Sequence, residues 1–221
     1  MGWPKLLVLV RHAESEGNVR TVEERAQYEV STPEYDLTEK GREQAKITGE
    51  YLRNKYGAFD VHYTSYYTRS KETMKIMYPD AKVCEDSRLA EGHRGIWHDM
   101  TSEQVLEQLP IEPKRKERDG LYHYKPFGGE NWPEIEGRIH SFRHTLRLDH
   151  EDETVVMVVH GHWLILFQKL IQHFSIEEAE RRYKTNVFKN ASVTVYEPKP
   201  IDGKSKLALV EENVVPWEGK L

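Results

Sequence analysis

Val10-Arg11-His12-Ala13-Glu14-Ser15-Glu16-Gly17-Asn18 is the stretch that decides the reading of this chain. It continues from Leu6-Leu7-Val8-Leu9-Val10, a short apolar run whose length and flanks suit a strand buried on both faces. The run stops abruptly at Arg11-His12, which puts a guanidinium and an imidazole at the strand's carboxyl end. Open α/β sheets place their ligands there. An imidazole is a nucleophile as well as a base, and a neighbouring arginine holds an anion against it, phosphate being the obvious one. An isolated Arg-His pair is more often a surface pair capping a strand, so the weight falls on what accompanies it.

The pair is accompanied. Val155-Val156-Met157-Val158-Val159 is a second buried-strand run, and it ends in His160-Gly161-His162. Two apolar strands that end in histidine can lie side by side in one sheet. Between them, Tyr63-Thr64-Ser65 closes a further strand-like run, and Arg69 opens the helical stretch Arg69–Met77. Leu89-Ala90-Glu91-Gly92-His93-Arg94-Gly95-Ile96-Trp97 then sets one carboxylate among turn-forming glycines.

These pieces, in this order, resemble the histidine phosphatase superfamily in its phosphoglycerate-mutase-like branch. Arg11-His12-x-Glu14…Asn18 resembles the family's Arg-His-Gly signature, with Ala13 where glycine is usual. Leu37-Thr38-x-x-Gly41-x-x-Gln44-Ala45 resembles the helix start that follows it. Thr64-Ser65…Arg69…Thr73 resembles the segment carrying the second phosphate-binding arginine, with Tyr66 where proline is common. Glu91 falls at the family's acid/base carboxylate, followed by Gly95-x-Trp97. Phe127-Gly128-Gly129-Glu130 is similar to the Gly-Glu turn, Val159-His160-Gly161 to the second histidine motif, and Asn190-x-Ser192-Val193-Thr194 to the terminal strand.

The chemistry of the residues agrees with what the resemblance implies. In phosphoryl transfer a protein chiefly positions the phosphoryl group and stabilises charge on its equatorial oxygens. Arg11 and Arg69 each offer paired N–H donors, Asn18 a neutral amide, and His160 a further donor if protonated. His12 would attack phosphorus as neutral imidazole and become phosphohistidine. Glu91 would protonate the leaving alkoxide and then take a proton from the attacking water. Ser15 is expected to donate to the phosphate, and Gly161 and His162 to belong to the same pocket. The scheme needs no metal and no cofactor.

Other readings of the same residues are blander. His160-x-His162 could hold a metal with His12 as third ligand, but Trp163-Leu164-Ile165-Leu166-Phe167 follows instead of a carboxylate-rich partner. His162 then reads as a pocket-wall or helix-start residue. His62, His98, His123, His140, His144, His150 and His173 match no family position and are expected at the surface or in packing.

The chain's 221 residues suit one domain, 1–221, with a full core. Its 32 Lys+Arg against 37 Asp+Glu leave a net charge of −5, which argues against nucleic acid or an anionic membrane as partner. The expected partner is a small phosphorylated substrate; oligomeric state is not legible. Cys84 is the one cysteine, so no intrachain disulfide is possible, and a reduced, cytoplasmic setting is expected. It lies in Ala81-Lys82-Val83-Cys84, which reads as a short buried strand. No signal-peptide core, myristoylation motif or membrane-spanning run is recognised.

Strand-like runs near 6–10, 61–65, 81–84, 154–159 and 192–197 alternate with helical stretches. The fold class expected is α/β, a three-layer α/β/α sandwich with a central, mostly parallel sheet and a helical and loop cap over the strand ends. Thr101–Gln104 and Ser175–Glu178 read as capping boxes, and Asn131 with Glu134 imitates one. Ile135, Ile139, Phe142 and Leu146 make one apolar stripe, so their helix faces the core. Asp202-Gly203 signals a turn between Val193–Glu197 and Leu207–Val210. Residues 92–130 carry His93, Arg94, His98, Lys114, Arg115, Lys116, Arg118, His123 and Lys125 among Trp97, Tyr122 and Tyr124. They read either as a solvated excursion or as a substrate lid that adds cations.

Three functions fit. The first is a phosphomonoesterase that hydrolyses small phosphorylated metabolites through phosphohistidine. The second is a 2,3-bisphosphoglycerate-dependent phosphoglycerate mutase, and the third a non-catalytic phosphate-ligand binder. The presence of nucleophile, both arginines, second histidine and carboxylate weighs against the third. Val19–Asp36 lacks the Trp- and Gly-containing stretch of true mutases, and Tyr122–Phe142 looks more like the broad-range phosphatases of plants and fungi. Both favour the first.

Overall fold

In the computed structural model, described for residues 2–201 and 203–221, the opening apolar run is strand β1 (Leu6–Arg11). Two short helices, α1 (Glu16–Val19) and α2 (Val22–Ala26), and a 3₁₀ turn at Thr32–Glu34 lead to the long α3 (Glu39–Tyr56). β2 (Val61–Thr64), α4 (Thr68–Met77) and β3 (Val83–Glu85) follow. A second 3₁₀ turn, Ser87–Leu89, opens the excursion α5 (Ile96–Asp99), α6 (Ser102–Gln108) and α7 (Ile111–His123). Then come α8 (Trp132–Asp149), β4 (Thr154–Val159), α9 (Gly161–Gln172), α10 (Ile176–Lys184) and the hairpin β5 (Val193–Ile201) and β6 (Lys204–Val214).

The six strands form one sheet in the order β3-β2-β4-β1-β5-β6. β3, β2, β4 and β1 run parallel, and β5 and β6 are antiparallel additions at one side. The expected three-layer architecture is present. β1 is continuously apolar because both its faces are buried, and its side chains alternate between two cores. Leu7 and Leu9 join Phe142 of α8 and Trp163 and Phe167 of α9. Val8 and Val10 join Ala45 and Leu52 of α3 and Met74 and Met77 of α4. Burial of each such side chain contributes about 1.5–3 kcal/mol, so the sheet's centre is the most stable part of the scaffold. The stripe Ile135, Ile139, Phe142 and Leu146 is buried, as its spacing predicts.

The loop between β1 and α1 is held by close approach. A Cβ on Gly41 would come 2.0 Å from the Glu14 carbonyl oxygen, so only glycine lets the first turn of α3 close there. Thr38 caps α3 and its Oγ1 also donates to Glu14 Oε1 at 2.9 Å. Ala13 is buried and its φ is not positive, so a residue with a Cβ takes the place where the resemblance leads to glycine.

Several expectations need correction. β3 is an exposed edge strand, and Cys84 on it is exposed; a three-residue strand with one neighbour has no second layer to bury it. The terminal hairpin is longer than the apolar pattern indicated, because its distal part is a largely solvent-facing ribbon that continues the antiparallel ladder. Of its turn, Gly203 has the expected positive φ of 71°, while Asp202 lies outside the described residues. The capping boxes at Thr101 and Asn131 are reciprocal, whereas at Ser175 the side chain accepts from the Glu178 N–H without the return bond. Among the described residues no helix is long and apolar enough to cross a membrane.

Candidate active site

The parallel register Arg11↔Val159 aligns the ends of β1 and β4, so the two histidines emerge together. The His12 backbone N–H donates to the Val159 carbonyl at 2.9 Å, and the rings of His12 and His160 lie 5.1 Å apart. His12 Nδ1 is 2.7 Å from the Ala13 carbonyl oxygen. A carbonyl only accepts, so Nδ1 carries the proton and Nε2 is the unprotonated nitrogen, its lone pair accepting from Arg69. Arg69 Nε lies 3.3 Å from that Nε2. Burial first, then Arg69 and Arg11, push the His12 pKa well below its ordinary value. The ring is neutral, as a nucleophile requires.

Arg11 leaves the end of β1 and its Nη1 donates to the Phe188 carbonyl at 2.5 Å and to Asn186 Oδ1 at 3.1 Å. Its Nε is buried with no protein partner. Arg69, in the first turn of α4, donates from Nη1 to the Thr32 carbonyl at 2.8 Å and lies over the Tyr67 ring. Burial lowers its pKa to about 10, which leaves it charged at neutral pH. Two buried guanidiniums, one with an unused donor, need an anion.

His160 caps α9 with an extended backbone, and its Nε2 is 2.7 Å from Ser65 Oγ. Burial and Arg69 hold its pKa well below the ordinary value. The expected protonated donor is therefore a neutral ring here; an anion placed beside it would favour the proton. Asn18 Oδ1 accepts from Ser15 N–H at 3.0 Å, Ser15 Oγ at 3.1 Å and Asn190 Nδ2 at 3.1 Å. With the oxygen saturated, the amide's N–H₂ end is left to donate. Ser15 thus orients Asn18, its hydroxyl proton spent on the amide oxygen while the residue lines the cavity.

Glu91 follows the second 3₁₀ turn. Its Oε1 accepts from the Gly92 N–H at 3.0 Å and its Oε2 from the His162 N–H, in the first turn of α9, at 3.4 Å. The loop itself is fastened by Arg138 of α8, whose guanidinium donates to the carbonyls of Arg88, Ala90 and Glu91. Nothing in a one-dimensional pattern marks Arg138, which sits on a helix's partly polar flank.

One cavity of about 400 Å³ is lined by Arg11, His12, Ser15, Asn18, Arg69, Glu91, Gly161 and His162, with His160 fully buried behind it. The nine candidates are thus brought together. Arg25, Thr32, Tyr35, Ile165, Tyr183 and Asn186 also line it and were not anticipated. So does His98, which corrects its assignment to surface or packing; burial, helped by Arg94, lowers its pKa to about 3. The periodic signal of a four-residue helix is too short to reveal which face His98 takes. The other unassigned histidines are exposed or packed: His62 against Tyr78, and His150 against Tyr63. Three of the six Lys and Arg residues of the 92–130 excursion are spent on neighbours, Arg115 on Glu112, Arg118 on Asp119 and Lys125 on Glu134.

The alternative metal set does not converge. His160 faces Ser65 and His12, while His162 packs between Trp132 and Tyr183. No group of three His, Cys, Asp or Glu side chains among the described residues is arranged to share an ion.

A sheet that ends in paired histidines between two arginines defines a phosphoryl-handling enzyme of the α/β class. The chain belongs to the histidine phosphatase superfamily (branch 1), whose family model matches residues 7–210. Phosphoserine phosphatase 1 of Hydrogenobacter thermophilus is 33% identical over 158 residues, 70% of each chain. The 2,3-bisphosphoglycerate-dependent phosphoglycerate mutase of Bartonella bacilliformis is 28% identical over 181 residues, 79% of this chain and 84% of its own. Among solved structures, Bacillus stearothermophilus YhfR superposes with a TM-score of 0.74 at 27% identity, covering 95% of this chain and 97% of that one. The alpha-ribazole phosphatase of Shigella flexneri shares the fold at a TM-score of 0.74 and 18% identity, covering 95% and 98%.

Proposed function

We propose that the chain is a phosphomonoesterase of small phosphorylated metabolites that works through phosphohistidine at His12. The observation that carries the reading is the neutral, Nδ1-protonated His12, whose unprotonated Nε2 is held by Arg69 with buried Arg11 beside it. Nε2 attacks phosphorus, the bond to the ester oxygen breaks, and protonated Glu91 gives its proton to the departing alkoxide. Water then loses a proton to the Glu91 carboxylate and attacks phosphorus, the P–N bond breaks, and inorganic phosphate leaves. Arg11, Arg69 and the Asn18 amide hold the equatorial oxygens throughout, which is the charge neutralisation that divalent metals supply elsewhere. The reaction is metal-independent on this reading.

The mutase reading uses the same intermediate and differs in what attacks it. The mutase names among the relatives favour it. Against it, residues 19–36 form α2 and the 3₁₀ turn that bring Arg25 and Thr32 to the cavity, without the Trp- and Gly-containing stretch of the mutases. The 92–130 excursion serves as the lid through Gly92, Arg94 and His98.

The test is phosphate release across a panel of phosphoesters, run beside a mutase assay primed with 2,3-bisphosphoglycerate. Net phosphate release with no isomerisation is expected. Isomerisation faster than release would replace this reading with the mutase. Brief incubation with labelled substrate and quenching without acid should place the label on the peptide holding His12, and label on Ser15 or His160 would overturn the mechanism.

A further inference from the structure

A second cavity, of about 170 Å³, opens beside the first, and the two share Gly92, Arg94, His162 and Tyr183 as walls. Its chemistry differs from that of the phosphate end. Trp132, His162 and Tyr183 pack ring against ring at the junction, 4.6–5.3 Å between centroids. Trp97 and Tyr124 line the far side, and their polar edges are already satisfied: Trp97 Nε1 donates to Tyr124 OH at 2.8 Å, which donates to Glu112 Oε2 at 2.7 Å. What they present is apolar ring surface.

Two cations sit among these rings. Lys116 Nζ is 4.8 Å from the Trp97 ring centroid, and Arg94 lines both cavities. Neither has a carboxylate within ion-pair distance among the described residues, unlike Arg115, Arg118 and Lys125 of the same excursion. Glu130, the carboxylate lining this cavity, is taken by Arg138 and the His93 N–H. Both residues are largely exposed at the cavity mouth, and partial desolvation of the Lys116 ammonium, then the Arg94 charge, lower its pKa. At the junction His162 Nε2 is buried with no partner. Aromatic walls, two cations at the mouth and a buried ring nitrogen without a protein partner are the chemistry of a ligand subsite.

We propose that this cavity is a leaving-group subsite that selects phosphomonoesters whose alcohol carries an aromatic ring and a second anionic group. The inference rests on the phosphomonoesterase reading. A cavity of about 150 Å³ accepts a benzene ring, so the space suits one ring and no more. The second anion meets Lys116 and Arg94, and an oxygen of the alcohol meets His162 Nε2. A serine or glycerate moiety would leave the rings uncovered.

The test compares three unactivated alkyl phosphates: 2-phospholactate, 2-phospho-3-phenyllactate, and 1-phenylpropan-2-yl phosphate, which keeps the ring but lacks the carboxylate. In the native enzyme, kcat/KM for the phenyllactate ester should exceed that for phospholactate by about 10–100-fold, the worth of burying one ring. Trp97→Ala should remove most of that preference and leave phospholactate within about twofold. Lys116→Gln should lower the phenyllactate ester towards the carboxylate-free one. Equal kcat/KM for phospholactate and its phenyl homologue, or a preference that survives both substitutions, overturns the subsite. Absence of phosphate release from every ester would instead overturn the phosphomonoesterase reading. The subsite is then decided by calorimetric binding of the same three esters to the folded His12→Ala protein, where loss of the ring preference refutes it.

Discussion

Arg138 holds the backbone of Glu91 in place. From the middle of α8 its Nη1 donates to the carbonyls of Arg88 at 2.9 Å and Ala90 at 2.6 Å, and its Nη2 to that of Glu91 at 3.2 Å. The same guanidinium pairs with Glu130, 3.0 Å from Nε to Oε1. One buried-side cation therefore ties the proposed acid's loop to a core helix and also engages the other carboxylate near the site. Glu130 is thereby occupied by Arg138 and the His93 N–H, whereas Glu91 lines the cavity.

Arg138→Gln should lower kcat on alkyl phosphates by about 10–100-fold with KM little changed, since misplacing a catalytic group by about 1 Å costs on that order. An activated aryl phosphate, whose leaving group needs no proton, should phosphorylate His12 at a near-native rate. Equal loss on both substrates in a pre-steady-state burst would show that Arg138 supports the site as a whole and does not position Glu91.

Glu91→Gln keeps size and polarity and removes the titratable proton. Esters with poor leaving groups should slow by about 10²–10⁴-fold. With an aryl phosphate the burst should persist, followed by a slow steady state, because the attacking water has lost its base. A burst rate that falls equally for aryl and alkyl phosphates would remove Glu91 from the role of acid.

Exhaustive chelation should leave turnover unchanged, because Arg11 and Arg69 already supply the positive charge that faces the phosphoryl oxygens. The measurement is phosphate release after prolonged treatment with a chelator and desalting. Loss of activity that zinc or magnesium restores would contradict the metal-free mechanism.

Stability should fall as pH drops below about 6.5. His12 and His160 have pKa values pushed well below the ordinary histidine value, His162 is lowered to about 4 and His98 to about 3, burial being the first cause in each. Between those values and about 6.5 the unfolded chain takes up protons that the folded chain refuses. Each such histidine then costs up to about 1.4 kcal/mol per pH unit of acidification. Above pH 7 both states are neutral and this contribution is flat. Denaturant midpoints measured at pH 7.5 and 5.5 in phosphate-free buffer should show the fall, and His98→Phe should lessen it by one histidine's share, the other three remaining. A midpoint that is unchanged between the two pH values contradicts the buried, neutral assignment.

The sequence by itself determined the sheet's centre and which polar residues gather at the ends of its strands. Leu6–Val10 and Val155–Val159 are runs that only a strand covered on both sides tolerates, and each ends where apolar character gives way to histidine. Arg11, His12, Glu91 and His160 were therefore legible from local pattern and order, as were Asn18 and Arg69. Tertiary structure decided what depends on neighbours remote in the chain. Arg138 acts across a helix–loop contact, His98 turns inward from a four-residue helix, and the Ser15 hydroxyl is spent on Asn18. Cys84 is exposed because its strand is the sheet's edge, a placement its local sequence does not distinguish from a central one. Protonation was equally a matter of three dimensions. A histidine's charge is set by the burial and the cations around it, and at His12 and His160 those come from Arg69 on another element of the fold.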